Sequence, residues 1–454
     1  MSEITVGAGA QKLRARERDA IVQSLRAGVV PRRGHQHIQV GRAAEVGALI
    51  QDLDRVADGG SALRFVIGDF GSGKTFFLHL VCSIGLEKGL VAAQTDLSPS
   101  RRLHSTGGEA RTLYADLMAH LSTRTRPEGG ALPSVVERFA TSALQEARER
   151  GVPTRAVLDE RLAALTEMPG GYDFAEVVAA YWQGHDEGAD RLKSDAVRWL
   201  RGEFATRTDA RNALGVRTII DDASVYDHLK LFARFVRLAG YAGLIVCFDE
   251  MVNLYKLANT RARNSNYELI LRIVNDSLQG TAVGLGVLFG GTPEFLMDPR
   301  RGLYSYEALH SRLAQNRFAA DGLKDLSGPV VPLAALTPEE LFILLRNLRH
   351  VYASGDSASY LLPDEALVAF MEHCSQRVGD AYFRTPRSTI RAFLELLAVL
   401  EQNPQVDWHK LLRGVELVAE SNPDLAPLES EPGASDDTPG ATAGGGDDLA
   451  SFRL

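Results

Sequence analysis

The sequence predicts an α/β protein in which a parallel sheet is combined with a long helical insertion and a C-terminal helical domain. Short apolar runs at 62–68, 241–251 and 282–296 are bounded by glycines, acids or turns, which is typical of strands buried on both faces. Helical periodicity fills residues 99–240 and returns from residue 336. These observations indicate a sheet core that helices interrupt and then follow.

The other elements follow from periodicity and from glycine and proline breaks. Residues 1–35 are predicted to be a helical lead-in, and 38–60 a short strand followed by an amphipathic helix. Helices are also expected at 74–89, 266–280, 336–353, 363–377, 386–402 and 407–420, and strands at 90–98 and 328–336. The helix at 336–353 opens with a threonine cap and a proline at its first position, a common helix start.

These elements divide the chain into four predicted segments. Residues 1–37 are the N-terminal lead-in, and 38–335 are the sheet core with its insertion at about 100–240. Residues 336–420 are a helical domain, which we call the lid, and 421–454 are an acidic tail. The tail is rich in Pro, Gly, Ser and Asp and poor in large apolar residues, which predicts disorder.

The composition is that of an ordinary globular protein, with 45% hydrophobic and 24% charged residues among 454. No apolar run of about 18 residues is present, and the N-terminus lacks an apolar signal segment, so we expect a cytoplasmic protein with no membrane span. The cysteines are Cys82, Cys247 and Cys374. They lie far apart in sequence and lack metal-ligand spacing, which favours buried, reduced thiols.

Residues 68–75, GDFGSGKT, match the phosphate-binding loop pattern G-x-x-x-x-G-K-[ST]. The loop follows a predicted strand and opens a predicted helix, which is the context that this pattern requires. Its glycines let backbone N–H groups surround phosphates, and the helix adds the positive end of its dipole. We expect Lys74 to contact the β- and γ-phosphates of ATP and Thr75 to ligate Mg²⁺. The predicted nucleotide contacts are Gly68, Asp69, Phe70, Gly71, Ser72, Gly73, Lys74, Thr75 and Phe76.

The run LIVCFDE supplies a pair of acids at the end of a buried strand. Ligands collect at the carboxyl ends of strands in open α/β sheets. We expect Asp249 to hold Mg²⁺ through its water shell and Glu250 to polarise the water that attacks ATP. The acid pair therefore favours hydrolysis over nucleotide binding alone.

Several longer segments carry a resemblance to a known family. They include GDFGSGKTFFL, TDLSPSRRL, GLIVCFDEMVNLYKL, NYELILRIVNDSLQG, LGVLFGGTPEFL, RGLYSYEALHSRLA and FRTPRSTIRAFLELL. From about residue 20 to 415 the sequence resembles the BrxD family, ATP-binding proteins of bacteriophage-exclusion (BREX) systems. The resemblance implies an AAA+ ATPase of the origin-recognition-complex type that forms a homo-oligomer. It also implies a role in phage defence, often beside a DEAD-box-like helicase.

The AAA+ resemblance implies roles for three further segments. In GGTPEF, Thr292 is the expected sensor-1 residue that touches the γ-phosphate and the attacking water, with Glu294 a weaker choice. In IQVGR, Val40 and Gly41 are expected to line the adenine pocket, although a plain strand-to-helix turn explains the same residues. A structural turn likewise remains the alternative for Thr292.

Arginines complete the set of expected catalytic residues. Arg312 and Arg317 are candidates for the arginine finger that reaches a neighbouring subunit, with a surface ion pair as the alternative. Arg387 resembles a sensor-2 arginine at the start of a lid helix, and Arg384 and Arg391 are weaker choices.

Three functions remain open from the sequence. The first is an ATPase that acts on DNA or loads a helicase partner onto DNA. The second is a nucleotide-dependent switch that binds protein partners. It is favoured because the seven acids and one arginine in 421–454 account for −6 of the whole chain's net charge of −8, which leaves the remainder nearly neutral. A small-molecule kinase is the third, and the acid pair counts against it. Trp182 and Trp199 are expected to pack in the core, with base stacking as the alternative.

Overall fold

The structure is a computed structural model that describes residues 13–316 and 325–414. The predicted tail at 421–454 and the candidate finger Arg317 lie outside the described residues. Within them, none of the helices is both long and apolar enough to cross a membrane.

The core is a five-stranded parallel sheet, which confirms the α/β fold class. The strands are β1 (Ala62–Ile67), β2 (Val91–Asp96), β3 (Leu244–Asp249), β4 (Leu285–Gly291) and β5 (Val330–Pro332). Their order across the sheet is β2-β3-β4-β1-β5. Every residue of β1, β3 and β4 is buried, as the uninterrupted apolar runs predict. In register, Asp96 lies opposite Asp249 and Ile67 opposite Gly291, so the carboxyl ends of these strands form one edge.

Three helices precede β1 along the chain, and a fourth follows it. They are α1 (Ala15–Arg26), α2 (His35–Ile38), α3 (Ala43–Ala57) and α4 (Lys74–Glu87). The strand predicted near residue 38 is wrong: a short extended link follows α2 and leads to α3. Ile38 and Val40 alternate with polar residues because both pack on the apolar core of the lid, not because they belong to the sheet.

The predicted insertion consists of helices joined by loops. Its helices are α5 (Glu109–Ala119), α6 (Leu132–Arg150), α7 (Thr154–Thr166), α8 (Gly171–Asp186), α9 (Asp190–Leu200), α10 (Arg207–Leu214) and α11 (Val225–Leu238). Their apolar faces share one continuous core with a face of the sheet. Trp182 and Trp199 are buried in that core, and the Trp199 indole donates to the carbonyl of Thr218 at 2.8 Å. Both tryptophans therefore pack rather than present a ring for base stacking.

Four more helices flank β3 and β4. They are α12 (Val252–Tyr255), α13 (Thr260–Leu278), α14 (Pro293–Met297) and α15 (Glu307–Leu313). Helix α13 begins at Thr260, earlier than the predicted 266, because the Asn259 side chain accepts the N–H of Ala262 at 3.1 Å and caps it. A 3₁₀ turn at Leu303–Ser305 joins α14 to α15.

The lid is a small helical unit with its own core. Its helices are α16 (Pro338–Tyr352), α17 (Asp364–Val378), α18 (Ala381–Arg384), α19 (Pro386–Gln402) and α20 (Trp408–Leu412), with a 3₁₀ turn at Ser357–Ser359. The predicted threonine cap is present: Thr337 and Glu340 form a reciprocal capping box at the start of α16. Helix α1 packs against α16 and α19, and its Ile21 and Val22 are buried in the lid core.

The three cysteines are all buried and unbridged, as the sequence predicts. Cys374 lies in the lid core, whereas Cys82 on α4 faces Cys247 on β3 with 3.2 Å between the two sulfurs. Their separation of 165 positions in sequence hid this contact.

A buried ion pair joins α3 to β1. The Arg64 guanidinium donates to the Asp52 carboxylate at 2.5 Å, and both side chains are less than a tenth exposed. Arg64 also donates to the carbonyls of Leu326, at 2.8 Å, and Gly328. This one side chain therefore connects α3, β1 and the segment that leads into β5.

Removing the Asp52 charge should destabilise the fold. Asp52→Asn keeps the side-chain volume but leaves the Arg64 cation buried without a counter-charge, which should lower the free energy of unfolding by about 3 kcal/mol. Asp54→Asn on the same helix is the matched control, because Asp54 pairs with Lys88 at the surface and its loss should cost less than about 1 kcal/mol. Urea denaturation measures both variants, and equal losses would contradict the account.

Candidate nucleotide-binding site

The loop at 68–75 joins β1 to α4 at the carboxyl edge of the sheet. Gly71 and Gly73 have φ angles of +79° and +81°, a conformation that glycine adopts without strain. The Lys74 ammonium turns back into the loop and donates to the carbonyls of Gly68 and Asp69 at 2.9 and 3.0 Å. The lysine is therefore held at the centre of the loop, where a phosphate would replace these carbonyls as its partner.

The loop and the acid pair meet through a single hydrogen bond. The Thr75 hydroxyl at the start of α4 donates to the Asp249 carboxylate at the end of β3 at 2.6 Å. Gly290 on β4 leaves room for this carboxylate, because a Cβ at that position would collide with Asp249 and lie 2.9 Å from Leu78. A glycine on the neighbouring strand is thus part of the site.

Asp249 is 1% exposed, and this burial raises the pKa of its carboxyl group. The hydroxyl of Thr75 and the backbone N–H of Glu250, at 2.9 Å, act in the opposite direction by donating to the charged form. A carboxylate and a hydroxyl oxygen held this close suit Mg²⁺, which takes few protein ligands and completes its shell with phosphates and water.

Glu250 has a left-handed backbone conformation, with φ at +56°, which is rare for a non-glycine residue. The backbone N–H of Glu250 donates to the Asp249 carboxylate, and the backbone N–H of Met251 donates to the carbonyl of Gly290 at 3.0 Å. Such strain costs on the order of 1–3 kcal/mol and is commonly found at functional sites. The conformation turns the chain so that Glu250 lines the adjoining cavity.

A cavity of about 270 Å³ opens between the loop, the first helices and the lid. Both polar and apolar side chains line it. The polar lining residues are Arg42, Ser72, Lys74, Thr75, Glu250 and Arg387. The apolar lining residues, which we call the apolar wall, include Leu25, Val29, Val30, Ile38, Val40, Phe70, Phe76, Leu336, Leu344, Pro386 and Ile390. The Ser72 hydroxyl is buried and has no hydrogen-bond partner among the described residues, as expected of a group that meets a ligand.

The lid closes the cavity with the start of α19. Arg387 lines the cavity beside Gly28, whereas Arg391 pairs with Glu395 one turn along α19 at 2.9 Å, and neither it nor Arg384 reaches the cavity. The loop touches the lid directly, since a Cβ on Gly71 would lie 2.6 Å from the Thr385 methyl. A ligand in this cavity would contact the core and the lid together.

Arg42 is the residue of this site that the sequence analysis missed. It directly follows Val40 and Gly41, has φ at +60°, and its guanidinium donates to the carbonyls of Ser72 and, at 3.3 Å, Ala334. Burial lowers the pKa of the Arg42 guanidinium, and the nearby Glu340 carboxylate offsets only part of this effect. The sequence did contain an indication of its role, because Arg42 is a cation that directly follows the predicted adenine contacts Val40 and Gly41. Of those contacts, Val40 lines the cavity and Gly41 lies against Glu340.

The other expected residues lie outside the cavity wall. Thr292 is buried after β4, where its hydroxyl caps α14 by accepting the N–H of Phe295, and Glu294 lies in the first turn of that helix. Arg312 is exposed on α15, and its guanidinium donates to the Asn275 side chain at 2.8 Å and to the Ala308 carbonyl at 2.7 Å. The structure therefore brings together the loop, the acid pair, Val40 and Arg387.

A phosphate-binding loop that follows β1, with Asp249 and Glu250 across β4 from it, defines a P-loop nucleotide-binding protein of the α/β class. The family model of the BREX system ATP-binding proteins BrxC/D matches residues 13–416. The chain therefore belongs to this family, and the resemblance read from its sequence is confirmed. It is an ATP-binding protein of the BREX defence system. Among curated proteins nothing matches the chain.

Truncation of Arg387 and truncation of Arg391, one turn apart on α19, should have different effects on ATP affinity. Arg387→Ala removes a cation from the cavity wall and should weaken ATP binding about tenfold, as expected for one hydrogen bond to a charged group. Arg391→Ala removes only an exposed pair and should leave the affinity unchanged. Calorimetric titration with ATP measures both, and equal affinities for the two variants would remove Arg387 from the site.

Proposed function

We propose that this protein is an AAA+-type ATPase that binds Mg-ATP beside residues 68–75 and hydrolyses it to ADP and phosphate. The observation that supports this most strongly is the convergence of Thr75, Asp249 and Glu250 where α4 begins and β3 ends. A site that only bound nucleotide would gain nothing from a strained acid beside the phosphate loop. The conformation of Glu250 thus favours turnover.

Each group has a distinct part in the proposed reaction. Lys74 and the N–H groups of the loop hold the β- and γ-phosphates. Thr75 and Asp249 hold Mg²⁺, which neutralises charge on the phosphates when it is bound. Glu250 orients and polarises the attacking water. Arg387 approaches the phosphates from the lid, and the apolar wall that includes Val40 accepts the adenine.

The AAA+ assignment gives the remaining residues their proposed roles. Thr292 follows β4, which lies between the strand of the phosphate loop and the strand of the acid pair, so it is the proposed sensor-1 residue. Arg312 is exposed and does not line the cavity of its own chain. This placement suits a finger that completes a neighbour's site in a homo-oligomer. Arg317 is proposed for the same role on its sequence position alone.

In the defence system, the proposed task is to act on DNA or to load a DEAD-box-like helicase onto DNA, in the cytoplasm. ATP binding would order the oligomer, and hydrolysis would release it. The family membership and the proposed turnover support a motor or switch of this kind.

A second candidate is a nucleotide-dependent switch that binds protein partners without contacting DNA. It is favoured by the charge pattern of the insertion, where several exposed arginines are matched by acids. Arg150 pairs with Glu146 and Glu160, and Arg155 pairs with Asp159 and Glu176. A surface with paired charges lacks the unbalanced basic stripe that DNA binding requires.

Glu250→Gln should separate binding from hydrolysis. The amide keeps the size of the side chain but cannot act as a base, so turnover should fall at least about 10²-fold while ATP affinity stays close to that of the parent protein. Phosphate release and calorimetric titration measure the two quantities. Lys74→Ala serves as the comparison, since it should lose ATP affinity itself. Near-normal turnover by Glu250→Gln would contradict the role of Glu250.

The two candidate tasks differ in what stimulates turnover. If the protein acts on DNA, single- or double-stranded DNA should raise the rate of ATP hydrolysis, with Glu250→Gln as the blank. The slope of that effect against salt concentration would report the number of phosphate contacts. A rate that DNA leaves unchanged, but that a protein of the same defence system raises, would contradict action on DNA and support the partner-binding switch.

A further inference from the structure

The contact between Cys82 and Cys247 has no part in the proposed ATPase chemistry. Their sulfurs are 3.2 Å apart, closer than two unbonded sulfurs usually lie, and both are free thiols. Cys247 is fully buried, while Cys82 retains 9% exposure. The two sulfurs are thus already close together, and Cys82 is the less deeply buried of the pair.

The two cysteines lie on the same helix and strand as the proposed Mg²⁺ ligands. Cys82 follows Thr75 by about two turns of α4, and Cys247 precedes Asp249 by two residues of β3, so each pair shares a face. Farther from the nucleotide site along the same interface, Gly85 on α4 packs against Ile245 on β3. A Cβ built on Gly85 would lie 3.5 Å from the Ile245 methyl. The spacing of α4 and β3 at the cysteines therefore affects their spacing at Thr75 and Asp249.

Cys82 lines a second cavity of about 420 Å³ beside α4 and β2. His79, Cys82, Ser83 and Gln94 form part of its wall, and Cys247 does not. The side-chain amide oxygen of Gln94 is buried there and lacks a hydrogen-bond partner within residues 13–316 and 325–414. A small polar molecule that enters this cavity meets an unsatisfied acceptor on the same lining as Cys82.

We propose that Cys82 and Cys247 form a reversible disulfide when the protein meets a peroxide, and that this bond weakens ATP binding. The Cys82 sulfur, having lost its proton to water, attacks one oxygen of hydrogen peroxide; the O–O bond breaks and a sulfenic acid forms as the first water leaves. The Cys247 sulfur then attacks the Cys82 sulfur, the S–O bond breaks, and the second water leaves with the thiol proton. Two thiols lose two electrons, and the peroxide is reduced to two waters.

The bond changes the geometry of the nucleotide site. A disulfide holds its sulfurs about 2.0 Å apart, so they move about 1 Å closer than in the thiol form. Because the interior is closely packed, α4 and β3 take up this change together. A shift of the Thr75 hydroxyl relative to the Asp249 carboxylate would weaken their hydrogen bond, and the loss of one hydrogen bond to a charged group corresponds to about tenfold in affinity. The inference concerns ATP affinity, so it stands or falls independently of hydrolysis.

The test uses the full-length protein and hydrogen peroxide. After exposure, digestion without reductant and mass spectrometry should reveal one cross-linked peptide pair containing Cys82 and Cys247. ATP affinity, measured by titration, should fall about tenfold and return after treatment with dithiothreitol. Peptides that carry only irreversible oxidation, or no cross-link at all, would overturn the proposal.

Two variants separate the pair from general oxidative damage. Cys374→Ser changes the cysteine of the lid core and should leave both the cross-link and the loss of affinity intact. Cys82→Ser should bind ATP normally and no longer respond to peroxide. A cross-link that forms in the parent protein without any change in ATP affinity would refute the coupling between the thiol pair and the nucleotide site.

Discussion

The hydrogen bond from Thr75 to Asp249 is the interaction on which the rest of the site depends. It joins the first turn of α4 to the end of β3, across a strand that lies between β3 and the phosphate loop. For the two side chains to meet, β4 must carry Gly290 where any Cβ would enter the space of the carboxylate. Parallel strands with ends in register deliver the loop and the acids to one edge.

Burial gives this arrangement its electrostatic character. Asp249 is enclosed, and the raised pKa of its carboxyl group reflects a charge that lacks full solvation in the protein alone. A divalent cation is the partner that such a carboxylate favours. The backbone strain at Glu250 belongs to the same design, since it turns the second acid of the pair into the cavity. The left-handed backbone of Glu250 lowers the local stability, and the packing of the surrounding sheet holds the chain in this strained conformation.

The lid and the loop are joined more closely than two separate domains would be. Arg42 donates to the loop at Ser72 and to Ala334 on the segment that leads to the lid, and Thr385 lies against Gly71. Helix α1, although it begins the chain, packs within the lid core. A nucleotide in the cavity would therefore change the contacts of three parts of the chain, as a switch between bound states requires.

Local patterns predicted much of this structure, and long-range packing accounts for the rest. The five strands, the loop and the acid pair were predicted because each is a short run whose chemistry is visible in the sequence. The strand expected near residue 38 failed because Ile38 and Val40 are buried against the lid, a contact that no local period reveals. Arg42, most of the apolar wall and the meeting of Cys82 with Cys247 were missed for the same reason, since each depends on a partner far along the chain.

The most direct test of the central claim is an experimental structure of the protein with Mg²⁺ and a non-hydrolysable ATP analogue. The account predicts a triphosphate enclosed by residues 68–75 and contacted by Lys74, with Mg²⁺ at the Thr75 hydroxyl and Asp249 next to it. The adenine should lie against the apolar wall near Val40, and Arg387 should face the phosphates. A nucleotide bound elsewhere, or Mg²⁺ remote from both Thr75 and Asp249, would contradict the account.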